Sequence, residues 1–260
     1  MATYRALVTN DDGIDSLFLH RLVEALLPNF TVSVAAPKTE QSWIGRAISR
    51  HSEIRIEKNE GIFPKEVEAW SLTGTPSDCV NITLGHLLSS PPDIVLSGIN
   101  LGYNTTEILI LSSGTIAGAI EGTLWGIPSI AFSQAIPNAL YSEISKNKGQ
   151  TDERFNSVVQ ASAEKAAQLA LETIQKPPKK GTILNVNFPE TMNTGTDIEI
   201  TQPAKIHLGS LYTEVEKECF RFQYAEGTRL CSNSQSDRDA LTRGNVSISE
   251  LDFSQIGRPQ

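Results

Sequence analysis

Asp11 and Asp12 stand side by side in the run Thr9-Asn10-Asp11-Asp12-Gly13-Ile14. Adjacent carboxylates repel unless a cation holds them, and hard oxygen donors suit Mg²⁺, Mn²⁺ or Ca²⁺. An apolar run, Ala6-Leu7-Val8, precedes them, and a helical pattern begins near Ser16. The pair is therefore expected where a strand ends, at the edge where open α/β sheets bind ligands. Asn, Asp and Gly are also ordinary turn residues, so this segment alone leaves a plain turn open.

Three further loops should reach the same edge. Glu40-Gln41-Ser42, after Pro37, offers a hydroxyl or carbonyl to a metal. Ser97-Gly98-Ile99-Asn100-Leu101-Gly102-Tyr103-Asn104 has glycines that let backbone approach a ligand and asparagines that supply neutral oxygen and amide groups. Ser112-Ser113-Gly114-Thr115 opens a helix, whose free N–H groups and hydroxyls make a phosphate cradle without Lys or Arg. Carboxylates for a cation beside a helix start for an anion suit metal-assisted hydrolysis of a phosphate ester. The cation would neutralise phosphoryl charge and lower the pKa of a bound water.

The elements that must position these loops alternate. Strands are expected at 4–9, 31–36, 94–96, 129–132 and 182–188, with two short ones around Glu60-Gly61. Helices are expected at 16–27, from Thr75 through Leu87, from Ser113 to Gly126, and at 153–174. Thr75 should cap its helix, with Pro76 at the first position and Asp78 facing the dipole. Segment 38–50 is too irregular for helix or strand. This alternation predicts an α/β fold, a mainly parallel sheet flanked by helices. Residues after about 195 read as strand-rich, with a hairpin turning near Ala225-Glu226-Gly227-Thr228.

Composition narrows the function classes. The net charge is −8 and the pI near 5.1, against any stable complex with duplex nucleic acid. No apolar stretch approaches a membrane span, and the N-terminal residues do not form a signal peptide. Cys79, Cys219 and Cys231 are dispersed, which fits ordinary thiols in the cytoplasm, with a Cys219–Cys231 bridge across a hairpin as the alternative.

Four motifs resemble those of the SurE family, the survival-protein nucleotidases. They are Leu7-Val8-Thr9-Asn10-Asp11-Asp12-Gly13-Ile14, Thr73-Gly74-Thr75-Pro76-Ser77-Asp78-Cys79-Val80, Ser97-Gly98-Ile99-Asn100-x-Gly102 and Ser113-Gly114-Thr115-x-Ala117-Gly118-Ala119-x-Glu121-Gly122. Gly244-Asn245-Val246-Ser247-Ile248 is similar to the family's closing motif. The resemblance implies a Rossmann-like SurE fold over 1–260 as a single domain. Its core would take in about 1–190 and 240–260, with a β-hairpin arm at about 195–235. It implies a phosphatase acting on nucleoside 5′- and 3′-monophosphates with one divalent ion per subunit, Mg²⁺ or Mn²⁺, and Ca²⁺ possible in crystals. Asp11, Asp12, Ser42 and Asn100 would hold the metal; Asn104, Ser113, Gly114 and Thr115 would hold phosphate. Asp11, Asp12 and Asn100 would be the catalytic set, with water as nucleophile. The arm would swap between subunits, giving a homodimer or homotetramer.

This chain departs from the family pattern at Trp43 and Arg46 in the loop after Ser42, along 105–112, and at Ser249-Glu250-Leu251. These changes bear on substrate access and turnover, so the alternative is a weakened nucleotide- and metal-binding regulatory protein of the same fold. Arg46 could instead bind phosphate in a bidentate manner. Asp78 reads as a cap and Glu121 as structural. Trp43 could stack on a base or pack its loop. Tyr212, Phe220, Phe222 and Tyr224 read as packing between subunits.

Overall fold

The computed structural model describes residues 4–230 and 235–255. In chain order its elements are β1 (Tyr4–Thr9), α1 (Leu17–Leu26), β2 (Phe30–Pro37), β3 (Ile56–Lys58), β4 (Glu68–Leu72), α2 (Pro76–Ile82), β5 (Ile94–Leu101), α3 (Thr106–Ser112), α4 (Gly114–Leu124), β6 (Ser129–Gln134), α5 (Asn138–Lys146), α6 (Glu153–Gln175), β7 (Thr182–Phe188), β8 (Ile198–Thr201), β9 (Ile206–His207), β10 (Tyr212–Glu216), β11 (Cys219–Phe222), β12 (Thr228–Arg229), α7 (Asp237–Thr242) and β13 (Val246–Asp252). Nine strands form one sheet in the order β3-β4-β2-β1-β5-β6-β7-β13-β8. From β4 to β7 neighbouring strands run parallel, while β3 pairs antiparallel with β4 and β13 antiparallel with β7. The mainly parallel, helix-flanked sheet expected from the alternation is present.

Side-chain alternation along the strands divides the core. Ala6 and Val8 of β1, with Ile94 and Leu96 of β5, join the cluster under α1 and α6. Leu7 and Val95 point the other way, toward α2 residues Cys79 and Val80. Helix α4 packs on the sheet at very close range because its facing stripe is glycine. A Cβ at Gly118 would lie 2.8 Å from Ser97 Oγ and Thr9 Cγ2, and one at Gly122 2.6 Å from Ser129 Oγ. One turn earlier, a Cβ at Gly114 would lie 2.7 Å from Asp11 Cβ. Each glycine weakens the isolated helix by about 1 kcal/mol relative to alanine. In return, the stripe sets the first turn of α4 directly on the aspartate loop.

Helix α2 starts as expected. Thr75 Oγ1 accepts the Asp78 amide and the Asp78 carboxylate accepts the Thr75 amide, a reciprocal cap. Beyond Ile82 the helix widens into a π turn over Thr83–Leu87.

Several expectations need correction. Strand β5 runs through Ser97 to Leu101, so more than half of the third loop is strand. Its ladder with β6 slips between Ser97 and Asn100, a bulge that re-aims the residues beyond it. Helices α3 and α5 were not foreseen. The hairpin turns at Lys217-Glu218, between β10 and β11, rather than near 225–228; that stretch instead leads into β12, which closes on β9. Cys219 is a free thiol, and Cys231 lies outside the described residues. Among the described residues no single helix is long and apolar enough to cross a membrane.

Candidate active site

Strands β1, β2, β5 and β6 end at one edge of the sheet. β1 lies between β2 and β5, so the chain moves outward to one side of β1 and then restarts on the other. That switch point opens a crevice at the carboxyl ends of the strands. A cavity of about 290 Å³ lies there, with Asp11, Ser42, Asn100, Asn104, Ser112 and Ser113 among its polar lining. Its apolar and aromatic lining comes from Trp43, Leu101, Tyr103, Leu109, Ile136, Tyr141, Phe222 and Tyr224.

The aspartate loop is tightly built. Asn10 Nδ2 donates to the Gly13 carbonyl at 2.9 Å, closing the turn. The Asp11 carbonyl accepts from the Gln41 amide at 2.7 Å, which draws the Ser42 loop alongside. Asp11 is buried, and its Oδ1 accepts from Thr115 Oγ1 at 2.5 Å. Asp12 Oδ2 accepts from the Leu101 amide at 3.0 Å, which ties β1 to the end of β5. Asn100 Nδ2 donates to the Gly102 carbonyl at 2.8 Å, leaving its side-chain oxygen for another partner. Ser42 Oγ donates to Glu40 Oε1 at 2.5 Å at the cavity rim.

The electrostatics of the pair are unfavourable as built. Burial first, and to a lesser degree the charge of Glu40, push Asp11 up from its ordinary 3.8 to about 6. Burial and then the charge of Asp11 push Asp12 well above the carboxylate range. Among the described residues no Lys or Arg pairs with either. Tyr141 is raised too, by burial and then by Asp12, Glu40 and Asp11, so its phenol faces the same negative field. Among the described residues no three His, Cys, Asp or Glu side chains converge on a metal position. The oxygen set is two carboxylates, a serine hydroxyl and an asparagine carbonyl. That chemistry fits a hard divalent cation with waters completing its shell, not a thiolate- or imidazole-loving one.

These shifts predict a pH dependence. In the fold Asp11 keeps its proton up to about 6, whereas the unfolded chain loses it near 3.8. The folded state thus binds more protons over that window, and the stabilisation present below 3.8 is lost as pH rises through about 6. In EDTA, the melting temperature of the wild type should fall relative to that of Asp11→Asn between pH 4 and pH 7. Parallel pH profiles for the two proteins would contradict this.

At the start of α4, Ser113 caps the helix, its Oγ accepting from the Ile116 amide at 3.1 Å. The α4 first turn contributes Gly114 at close quarters with Asp11, and the Thr115 hydroxyl is committed to Asp11 rather than open to the cavity. Asn104 is held on every side. Its amide donates to Asn187 Oδ1 at 2.7 Å, its Nδ2 to Ser133 Oγ at 2.9 Å, and its carbonyl accepts from Asn185 Nδ2 at 2.8 Å. Just after it, buried Asp237 accepts from the Thr106 and Ala204 amides at 2.8 and 2.9 Å, which joins α3, the root of the arm and α7.

The structure thus brings Asp11, Ser42, Asn100, Asn104 and Ser113 to one cavity, with Asp12, Gly114 and Thr115 directly behind its wall. Arg46 is not there; its guanidinium reaches Glu121 instead of a phosphate position. Phe222 and Tyr224 line the cavity of their own chain, with the Trp43 ring 4.9 Å from Phe222 and 6.0 Å from Tyr224. Sequence reasoning missed Tyr103, Tyr141, Asn185, Asn187 and Asp237. Only the Asn185-Val186-Asn187 alternation, which puts two amides on one face of β7, carried a signal.

The model of the family described as survival protein SurE matches residues 6–210. The 5′-nucleotidase SurE of Trichormus variabilis is 43% identical over 187 residues, 71% of this chain and 63% of that protein. The chain therefore spans under two thirds of that relative's length. The 5′-nucleotidase SurE of Geobacter sulfurreducens is 34% identical over 250 residues, 94% of this chain and 86% of that protein. Among solved structures, the SurE protein of Aquifex aeolicus superposes with a TM-score of 0.76 at 27% identity, covering 95% of this chain and 93% of that one.

Proposed function

The chain belongs to the SurE family, and from that premise we propose that it is a phosphomonoesterase of nucleoside 5′- and 3′-monophosphates. The observation that carries this reading is the mixed lining of that one cavity. Asp11 lines it without a cationic partner among the described residues, with Asp12 next to it in the chain and the capped start of α4 alongside. The aromatic residues of the same lining offer faces on which a nucleobase can stack. An ester without a base would leave those faces unused.

Asp11, Asp12, Ser42 and Asn100 would hold one divalent cation, Mg²⁺ or Mn²⁺. When bound, the cation supplies charge neutralisation at the phosphoryl group and a lowered pKa for water. The chain's own contribution is positioning. Thr115 orients the Asp11 carboxylate, and the Leu101 amide orients that of Asp12. Asn104 and Ser113, with the backbone of Gly114 and Thr115, would receive the phosphate oxygens at the α4 start. Trp43, Tyr103 and the arm residues Phe222 and Tyr224 would cover the nucleoside and exclude water.

The arm exposes Tyr212 and Phe220 on β10 and β11, about 60% accessible, which supports assembly into a homodimer or homotetramer through that surface. The free thiols of Cys79 and Cys219 fit the reducing cytoplasm.

The test is phosphate release from 5′- and 3′-nucleoside monophosphates and from glycerol phosphate, each with Mg²⁺, Mn²⁺ or EDTA. Metal-dependent release from the nucleotides, with glycerol phosphate poorer, is expected. Trp43→Ala should narrow the gap between them about tenfold, on the scale of one lost stacking contact. Nucleotide binding without release under any metal would replace the enzyme with a binding module.

A further inference from the structure

The loop after β2 makes a wide excursion before β3, and its middle carries Ser42 and Trp43. Trp43 has φ of 60° and Gly45 of 56°. A left-handed backbone is uncommon for a bulky residue and persists only where the surroundings hold it. Backbone contacts bracket the segment: the Gln41 amide on the Asp11 carbonyl at 2.7 Å, and the Gly45 amide on the Ser112 carbonyl at 2.9 Å.

The next residue supplies a stronger hold. Arg46 Nη2 reaches Glu121 Oε2 at 2.5 Å, and the Glu121 side chain is only 4% exposed in the interior of α4. The other Glu121 oxygen accepts from Asn81 Nδ2 at 2.8 Å and Trp125 Nε1 at 3.3 Å, contacts that orient the carboxylate independently of the arginine. Past Arg46, the Ala47 carbonyl accepts from Thr75 Oγ1 at 2.8 Å. The loop is therefore tied to the same helix whose first turn packs on Asp11.

We propose that Arg46 and Glu121 are positioning residues, an ion-pair latch that holds Ser42 and Trp43 over the cavity and fixes their distance from the α4 start. What Ser42 and Trp43 touch there rests on the nucleotidase reading above. The Arg46 side chain is exposed but its partner's is almost fully buried, which makes this pair unlike the chain's surface ion pairs with both partners exposed, such as Lys38–Glu57. Groups that orient a metal's ligands cost about 10–100-fold in affinity or activity when removed.

The experiment is calorimetric titration of Mn²⁺ into metal-free wild type, Arg46→Ala, Arg46→Lys, Glu121→Gln and the double variant Arg46→Ala/Glu121→Gln. Melting curves and a split of kcat from KM accompany it. Arg46→Ala should bind Mn²⁺ about tenfold more weakly and raise KM more than it lowers kcat. Arg46→Lys should recover part of the loss, and the double variant should match Arg46→Ala. A folded Arg46→Ala protein with unchanged Mn²⁺ affinity, or a double variant whose loss is the product of the two single losses, overturns the latch. If Arg46→Ala does not fold, Arg46→Lys and Glu121→Gln decide, and wild-type affinity in both overturns it. A wild type that takes up no Mn²⁺ overturns the nucleotidase reading itself, and the latch with it.

Discussion

Asp11→Asn should reduce metal-dependent phosphate release by about 10³-fold or more, the scale on which a group aimed at developing charge is lost. The substitution is nearly isosteric. Thr115 Oγ1 can still donate to the remaining oxygen, so the 2.5 Å contact that orients the side chain need not break. What disappears is one of two adjacent negative charges, and with it most of the attraction for a divalent cation. The same substitution should stabilise the metal-free protein near neutral pH. A buried carboxylate raised to about 6 is held in the fold against its own preference, and a neutral amide at that position is not. The expected signature is a variant that melts above the EDTA-treated wild type yet gains nothing from Mn²⁺. Activity and stability moving in opposite directions is typical where a site is built for a ligand rather than for the empty fold. Release at the wild-type rate would remove Asp11 from the mechanism.

Gly98→Ala should destabilise the fold by roughly 3 kcal/mol or more, in the range where a named steric fault is required. Gly98 has φ of 134°, where a side chain is strained whatever the space. Space is also lacking: a Cβ would lie 2.3 Å from the Phe132 carbonyl oxygen and 3.2 Å from Phe132 Cβ. Neither can retreat, because Phe132 is a buried residue of β6. Gly98 also sits in the bulge that precedes Asn100. Relief by straightening β5 would move Asn100 and Leu101, and with Leu101 the amide that holds Asp12. Urea unfolding measures the loss, and phosphate release from whatever remains folded measures the displacement. A midpoint within error of the wild type would mean that the bulge can be remade at no cost.

Local chemistry was the legible part. Thr75-Pro76-Ser77-Asp78 announced a helix start because each residue answers a specific orphan group of the first turn, and the reciprocal cap is present. Ser113 was legible for the same reason. Helix α3 was not, because Ile108-Leu109-Ile110-Leu111 is a continuous aliphatic run without helical period. Its exposed Leu111 and buried Leu109 and Ile110 are distinguished only by what packs on them. The hairpin was misplaced because Gly227 is the more obvious turn residue. The true turn puts Glu218 at φ of 62°, a conformation its side chain does not advertise. At the site, the aspartates and the two asparagines of the β5 loop could be read from their strand-end positions. The aromatic lining could not. Trp43, Tyr141 and Phe222 come from a loop, an unforeseen helix and the arm, and only tertiary packing brings them to one wall. Arg46 was free to face either phosphate or protein, and Glu121, nearly inaccessible to solvent, decided it.

The hydrogen bonds around Asn104 and Thr106 have a consequence for synthesis. Their partners, Asn187 and Asp237, lie 83 and 131 residues downstream. A chain leaves the ribosome at about 5–20 residues per second and folds from its N-terminus as it emerges. The aspartate loop, the Ser42 loop and the start of α4 therefore emerge many seconds before the residues that set Asn104 in place. A nascent or prematurely ended chain has its carboxylates and the start of α4 early, and Asn104 fixed in place late. Incomplete copies should be inert rather than unregulated hydrolases.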